Sequence, residues 1–410
     1  MQYTRSKNMR KQNHHHMLVD HPSIRILHAV GGMNRAGTET WLMHILRNID
    51  RDRFQMDFLV HTDQPCAYDE EIRALGSKII PCLDRSKPWL YSRNLKRILR
   101  EYGPYDIVHS HVHHFSGYIL WLAKQVGVPI RIAHSHNDTF EVDAHASFLR
   151  RVYTTLMKGF IQGSATTGLA ASRVAALALF GDDWENNPRW QVLYCGIDLT
   201  PFKTPVDGLV LRQELGIPED AFVIGHVGRF EEQKNHLFIL EIAVSVVQKE
   251  PRMRLLLIGD GILRPMIEEK VKQMGLTPYV VFAGLRSDVP QLMQSVMDVF
   301  LLPSFHEGLP VVGIEAQSAG LPFILSDVIT EELDRGLPLI RRISLSQSAL
   351  QWSVFILNTR QSQLNISKPE MLKIIEHSPF NIQNSLTNLV NFYQQKLWGL
   401  TQVINEGNSK

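Results

Sequence analysis

Residues 303 to 327 read PSFHEGLPVVGIEAQSAGLPFILSD, and this stretch decides the fold. Just before it, Val299-Phe300-Leu301-Leu302-Pro303 is a short apolar run of the kind that forms a buried strand. Glu315-Ala316-Gln317-Ser318-Ala319 reads as helix and stops at Gly320, a C-cap. Phe323-Ile324-Leu325 is a second apolar strand. The order is strand, glycine-bearing turn, helix, strand. Pro310 suits the first turn of the helix, where its missing N–H would be unpaired anyway. The free N–H groups of that turn and the positive end of the helix make an anion site. Glu307 stands on the loop before the helix and Glu315 about two turns inside it. A phosphate on the helix end, flanked by carboxylates, suits a nucleotide bearing a sugar. A plain helix cap with one solvated glutamate is the alternative.

A chain of 410 residues exceeds one ordinary core, so two domains are expected. Its 44% hydrophobic and 20% charged residues are ordinary for a soluble enzyme. Lys+Arg number 43 against 41 Asp+Glu, which gives no bulk basic surface for nucleic acid. Cys66, Cys82 and Cys195 are far apart and fit buried thiols in a reducing cytosol better than disulfides or zinc. Residues 1–22 lack an apolar core and are expected to be a disordered tail, with His14-His15-His16 able to bind metal adventitiously. No apolar run approaches the ~20 residues that span a bilayer. The expected location is cytoplasmic, at most peripheral to the membrane.

Moving outward, Ile24 to Val30 reads as a strand that feeds a glycine-rich loop, Gly31-Gly32-Met33-Asn34-Arg35-Ala36-Gly37-Thr38-Glu39-Thr40. A helix follows, with Trp41, Leu42, Ile45, Leu46 and Ile49 at helical spacing. The loop is phosphate-sized but lacks G-x-G-x-x-G, which argues against a standard dinucleotide site. Strands and helices then alternate through Phe54–Val60, Tyr68–Leu75, Lys78–Pro81, Arg93–Tyr102, Asp106–His111, Phe115–Val126 and Ile130–Asn137, the pattern of a parallel, doubly wound sheet. Two strand ends carry paired histidines, His109 with His111 and His134 with His136, each pair on one face. Neither has Cys, Asp or Glu at ligand spacing, so acid–base or sugar-binding roles, or plain structural hydrogen bonds, are preferred to a metal. Residues 145–163 form an amphipathic helix. Its apolar face (Leu149, Val152, Tyr153, Leu156, Phe160, Ile161) is expected to pack on the sheet, or its basic residues to meet anionic lipid.

Residues 200–208, with two prolines and no periodicity, read as the hinge. A second α/β series follows, with strands at Phe222–Gly228, Arg254–Gly259 and Val280–Gly284 and with Asp288 capping a helix. Arg229 and Lys234 sit at the end of its first strand, placed to neutralise a diphosphate.

Taken together, Gly228-Arg229, Lys234-Asn235, Gly259-Asp260-Gly261, Phe282-Ala283-Gly284, Glu307-Gly308-Leu309-Pro310, Glu315-Ala316 and Gly320-Leu321-Pro322 resemble the retaining glycosyltransferases of family 4, with the GT-B fold. The Gly31–Thr40 loop looks like the branch that builds bacterial exopolysaccharide and capsule. That branch has a second Gly-Gly pair where this chain has Ala36-Gly37. The resemblance covers about residues 23–335 and implies two facing Rossmann-like domains. They are an acceptor-side domain at 23–199 and a nucleotide-sugar domain at 209–380. A helix at 381–400 would cross back to the first domain before a tail at 401–410. It further implies a nucleotide-sugar donor, most simply a UDP-sugar, an oligosaccharide or lipid-linked acceptor, and no metal cofactor. Arg229 and Lys234 would hold the diphosphate, helped by Gly308, Leu309, Pro310 and Val311, and Glu315 the ribose. Glu307 and His111 would face the donor sugar, Gly37 would approach the phosphate or acceptor, and His134 and His136 would line the acceptor side. A UDP-N-acetylglucosamine 2-epimerase-like enzyme and a non-catalytic nucleotide-sugar-binding protein are the rivals.

Overall fold

The computed structural model describes residues 23–139, 143, 146–359 and 366–407. The expected tail at 1–22, with its histidine tract, lies outside them. Two all-parallel sheets form the molecule. The first runs β3-β2-β1-β4-β5-β6-β7, built from β1 (Ile24–Val30), β2 (Phe54–Val60), β3 (Ile79–Pro81), β4 (Ile107–Ser110), β5 (Ile130–Ser135), β6 (Thr167–Ala170) and β7 (Trp190–Val192). The second runs β10-β9-β8-β11-β12-β13, from β8 (Phe222–Val227), β9 (Met253–Ile258), β10 (Val280–Gly284), β11 (Val299–Leu302), β12 (Phe323–Ser326) and β13 (Ile340–Ile343). Parallel strands need helical crossovers on both faces, so both faces are covered and the strands are mostly apolar. Each sheet accordingly lies between two buried apolar layers. These are two Rossmann-like domains in the GT-B arrangement. In both sheets the strand order reverses at the first strand of its domain, β1 or β8, which is where doubly wound sheets open a crevice.

The chain passes between the domains twice, and the two passages are paired. Ile197 N–H donates to Phe380 O at 2.8 Å and Ile382 N–H donates to Ile197 O at 2.9 Å. Helix Ile382–Gly407 then returns to the first domain. Ile382, Leu389, Phe392 and Tyr393 join its core, and Trp41 Nε1 donates to Ser385 Oγ at 3.1 Å. No proline interrupts the chain after Leu397, so this helix continues past residue 400 to Gly407.

Several sequence expectations change. Helix Pro88–Glu101 starts five residues before Arg93, because Pro88 occupies its first turn. The expected hinge contains a short helix, Thr200–Lys203, and its last residue opens helix Gly208–Glu214. Asp288 makes no side-chain cap; its carboxylate is held by Arg286 instead, at 2.6 and 2.8 Å. Residues 336–380, which showed no motif, contribute β13 and helices Ala349–Asn358 and Lys368–Glu376. Both helices open on a legible capping pattern, Ser348 with Gln351 and Ser367 with Glu370. Helix Phe148–Ser164 packs through Thr154, Met157, Ile161 and Ser164, so the stripe Leu149, Val152, Tyr153 and Leu156 faces outward.

Truncating the returning helix should therefore damage the first domain. Leu389→Ala empties a fully buried site and is expected to cost about 2–5 kcal/mol in urea denaturation. An unchanged midpoint would mean that this helix is not part of the core.

Candidate active site

A cleft of about 650 Å³ lies between the domains, the size of an ordinary small-ligand site. It is lined from the first domain by Gly37, His111 and His136, and from the second by Arg229, Lys234, Glu307, Gly308, Leu309, Pro310, Val311 and Glu315. All of these were singled out from sequence. His134 was too, but it does not reach the cleft. It lies deeper in β5, fully buried, with the Trp41 ring edge-on at 5.4 Å. Only the residue beyond the strand end, His136, clears the helix that covers this face.

Two helix N-termini meet here. Helix Val311–Ser318 starts one residue after Pro310, so the proline is its N-cap rather than part of its first turn. Helix Gly37–Asn48 begins inside what the sequence presented as loop, with Ala36 as N-cap. Neither N-cap offers a side-chain hydrogen bond. A Cβ placed on Gly37 would lie 3.9 Å from Val311 Cγ2. Two positive helix ends therefore abut with unclaimed N–H groups, which makes an anion site stronger than either alone.

The charged groups are arranged around this point. Lys234 Nζ donates to Glu307 Oε1 at 2.5 Å, and Gln233 Nε2 donates to Glu307 Oε2 at 3.3 Å. Lys234 is positioned by a short turn, Glu232–Lys234, which ends at Asn235 in the left-handed conformation with φ 56°. Asn235 Nδ2 donates to Pro303 O, and Phe305 N–H donates to Gln233 O, so the Lys234 and Glu307 loops are tied together. Arg229 pairs with Glu231 at 3.0 Å and is otherwise well exposed at the mouth. Gly259 has φ +135°, and a Cβ there would sit 2.0 Å from Gly228 O, which explains why Gly259-Asp260-Gly261 must stay slim beside the Arg229 loop. Burial pushes the Glu315 carboxyl up to about 7.

The opposite wall touches this loop directly. A Cβ on Gly308 would lie 2.2 Å from His136 O, and Ser172 Oγ donates to Gly308 O at 2.9 Å. Farther out, Glu332 accepts from Arg173 N–H at 2.7 Å and from Tyr194 O–H at 2.8 Å. Sequence reading missed these interdomain partners, since no local pattern marks them. It also passed over Glu39, which lines the cleft in the first turn of its helix. Burial raises the Glu39 carboxyl, opposed by its own backbone N–H and by the Arg229 charge. A carboxylate directly after the Gly37 turn was the available signal.

Behind the wall the histidines form a ladder. His111 bonds His28 (Nε2 to Nδ1, 3.0 Å) and His136 (Nδ1 to Nε2, 2.9 Å), while His109 bonds His134 at 3.0 Å and the Tyr393 hydroxyl at 2.7 Å. Burial drives His28 and His136 down to about 3 and takes His109, His111 and His134 well below the ordinary range. All five are neutral near pH 7.

Known proteins resemble this chain. The model described as Glycosyltransferase Family 4 matches residues 35–200, and the one described as Glycosyl transferases group 1 matches 221–341. EpsF of Bacillus subtilis (strain 168), a protein named as a glycosyltransferase, is 38% identical over 375 residues, covering 90% of this chain and 96% of EpsF. The chain belongs to the family 4 glycosyltransferases. This glycosyltransferase is also 26% identical to the UDP-Gal:alpha-D-GlcNAc-diphosphoundecaprenol alpha-1,3-galactosyltransferase of Escherichia coli, over 76% of this chain and 81% of that protein. Among solved structures, Anabaena Alr3699/HepE in complex with UDP and glucose superimposes with TM-score 0.76 at 18% identity, over 91% of this chain and all of that one. That match speaks to the fold alone.

Glu315 gives the glycosyltransferase a testable pH signature. Its folded carboxyl holds a proton up to about pH 7, whereas the unfolded one releases it near 4.5. Between those values the folded state binds more protons, so this group's contribution to stability falls as pH rises. Stability of Glu315→Gln relative to wild type is expected to climb from pH 4.5 to pH 7.5, by at most about 3 kcal/mol. A flat difference across that window would place the Glu315 carboxyl in water.

Proposed function

We propose that this glycosyltransferase transfers a hexosyl unit from a UDP-sugar to a hydroxyl of a growing, lipid-linked exopolysaccharide or capsule oligosaccharide, with retention and without a metal cofactor. The observation that carries the reading is the convergence of two uncapped helix ends with Lys234, Glu307 and Glu315 in one cleft. The galactosyltransferase relative takes UDP-Gal by name and the Anabaena structure holds UDP, which favours uridine. EpsF, matched over nearly the whole chain, is named as a glycosyltransferase, which favours transfer over the epimerase and scaffold readings.

In this reading the diphosphate sits on the N-terminus of helix Val311–Ser318, between Arg229 and Lys234. As the bond from the sugar to the diphosphate breaks, negative charge grows on the leaving oxygen. Fixed cations and helix N–H groups stabilise that charge without reorganising. Lys234 then divides its charge between phosphate and Glu307, leaving the Glu307 carboxylate free to accept from a sugar hydroxyl. Ionised Glu315 accepts the ribose hydroxyls. His111 faces the donor sugar, and His136 with Gly37 borders the acceptor. The acceptor hydroxyl attacks the front face, and the departing phosphate takes its proton. Closure about residues 200–208 and the paired passage at Ile197 and Asn381 excludes water.

Diphosphates test the donor site. UDP at ~100 times its dissociation constant is expected to stabilise the protein by ~2.7 kcal/mol with or without EDTA, and GDP and ADP by less. Lys234→Met and Glu307→Gln should each cut transfer at least ~100-fold, losses typical of removing a charge-stabilising group. Stabilisation only with a divalent metal would overturn the metal-free assignment.

A lipid-linked acceptor calls for membrane contact, and among the described residues no helix is long and apolar enough to cross a bilayer. Helix Phe148–Ser164 supplies a surface contact instead. Phe148 and Leu149 are more than three-quarters exposed, Val152 and Leu156 about half. The helix contains Arg150, Arg151 and Lys158 and no acidic residue. Apolar side chains ringed by cations suit the interface of an anionic bilayer. Sedimentation with phosphatidylglycerol vesicles should be lost in Phe148→Glu/Leu149→Glu, and wild type should not sediment with phosphatidylcholine alone. Equal binding by wild type and variant would remove this helix from the membrane face.

A further inference from the structure

The histidine ladder is larger than the transfer reading uses. His111, His134 and His136 each offer a ring nitrogen, and the three nitrogens lie within 4.8 Å of one another. His134 Nε2 is buried and has no hydrogen-bond partner among the described residues. An unpaired buried lone pair costs energy unless something occupies it. His111 and His136 both line the cleft, so the group is reached from solvent while His134 closes its back.

We propose that His111, His134 and His136 form a binding site for one divalent transition cation, zinc being the best match to three imidazoles, set in the first-domain wall of the cleft. Three histidines with a fourth position open to water or ligand is a familiar donor set for zinc. The ligands would be His111 Nδ1, His136 Nε2 and the free His134 Nε2. Each ring then keeps its single proton on the nitrogen turned away from the cation, and each of those nitrogens already has a partner. His111 Nε2 is 3.0 Å from His28 Nδ1, His134 Nδ1 is 3.0 Å from His109 Nε2, and His136 Nδ1 is 3.7 Å from Cys195 Sγ. Outer partners of this kind fix the tautomer and ring direction of metal-binding histidines. His109 is held in turn by Tyr393, which leaves it no nitrogen to give and marks it as a supporting rather than a ligating ring.

For His111 and His136 the geometry needs only a small adjustment. Zinc–nitrogen bonds of ~2.0–2.1 Å at a tetrahedral angle separate the nitrogens by roughly 3.3 Å. His111 Nδ1 and His136 Nε2 stand 2.9 Å apart, so the rings must open by less than about half an ångström. The site is independent of the proposed donor chemistry. A cation there would also silence transfer, and that second consequence rests on the reading of His111 as facing the donor sugar.

The test uses the full chain with His14, His15 and His16 changed to alanine, so that the N-terminal tract contributes nothing. Cobalt(II) titration is expected to saturate at one equivalent with the strong visible absorption of a four-coordinate site, bleached by zinc. His134→Asn should abolish that band. His28→Asn, which removes only an outer partner, should weaken binding ~10–100-fold while keeping the band shape. Absence of the band in the unsubstituted ladder, or its persistence in His134→Asn, overturns the proposal. If His134→Asn fails to fold, the cobalt spectrum of the intact ladder and the His28→Asn affinity still decide. A cobalt site that forms without inhibiting transfer would leave the metal site standing and count against His111 as a donor contact.

Discussion

The cleft depends on one place where backbone from the two domains touches. Gly308 lies against the carbonyl of His136 so closely that no side chain fits between them, and Ser172 holds the Gly308 carbonyl from the same side. That contact sets the end of β5 against the loop that leaves β11. It also brings the helix after β1 to the helix after β11, end to end. Parallel sheets present their loops at the carboxyl edge, and two such edges face each other only if something fixes their separation. Here a missing Cβ does so.

Charge is then distributed around the cavity. Glu307 is buried, but it carries its own cation in Lys234 and an amide donor in Gln233. Among the described residues Glu315 has no such partner, and its carboxyl is raised by desolvation. Two carboxylates eight positions apart thus sit in different settings, one beside a lysine and the other not. The first domain answers with neutral rings rather than ions. Five imidazoles on one sheet face bond to one another in a chain and stay neutral, since burying them charged would be prohibitive.

The fold was legible because its signals are local and repeated: apolar runs of strand length, glycine stops and helices between them. The second-domain site was legible for a related reason. Gly228-Arg229, Lys234-Asn235 and Glu307 to Glu315 are short patterns whose spacing along the chain is also their spacing around one pair of loops. The ladder was only half legible. Residues two apart on a strand share a face, which predicted that His134 and His136 go together, yet Trp41 decides which of them meets the cleft. Contacts such as Glu332 with Tyr194 join residues 138 positions apart, and no window of sequence contains both. The outward stripe of Phe148–Ser164 was misjudged because apolar periodicity shows that a face exists, not which side of the helix the core takes.

The returning helix also fixes an order of events during synthesis. Trp41 finds its hydrogen-bond partner 344 positions later, and His109 finds Tyr393 after 284. A nascent chain whose first sheet is complete still lacks the residues that cover its apolar face. It stays open there until the returning helix leaves the ribosome. A message cut short anywhere before Ile382 thus yields an unfinished first domain rather than a loose half-enzyme.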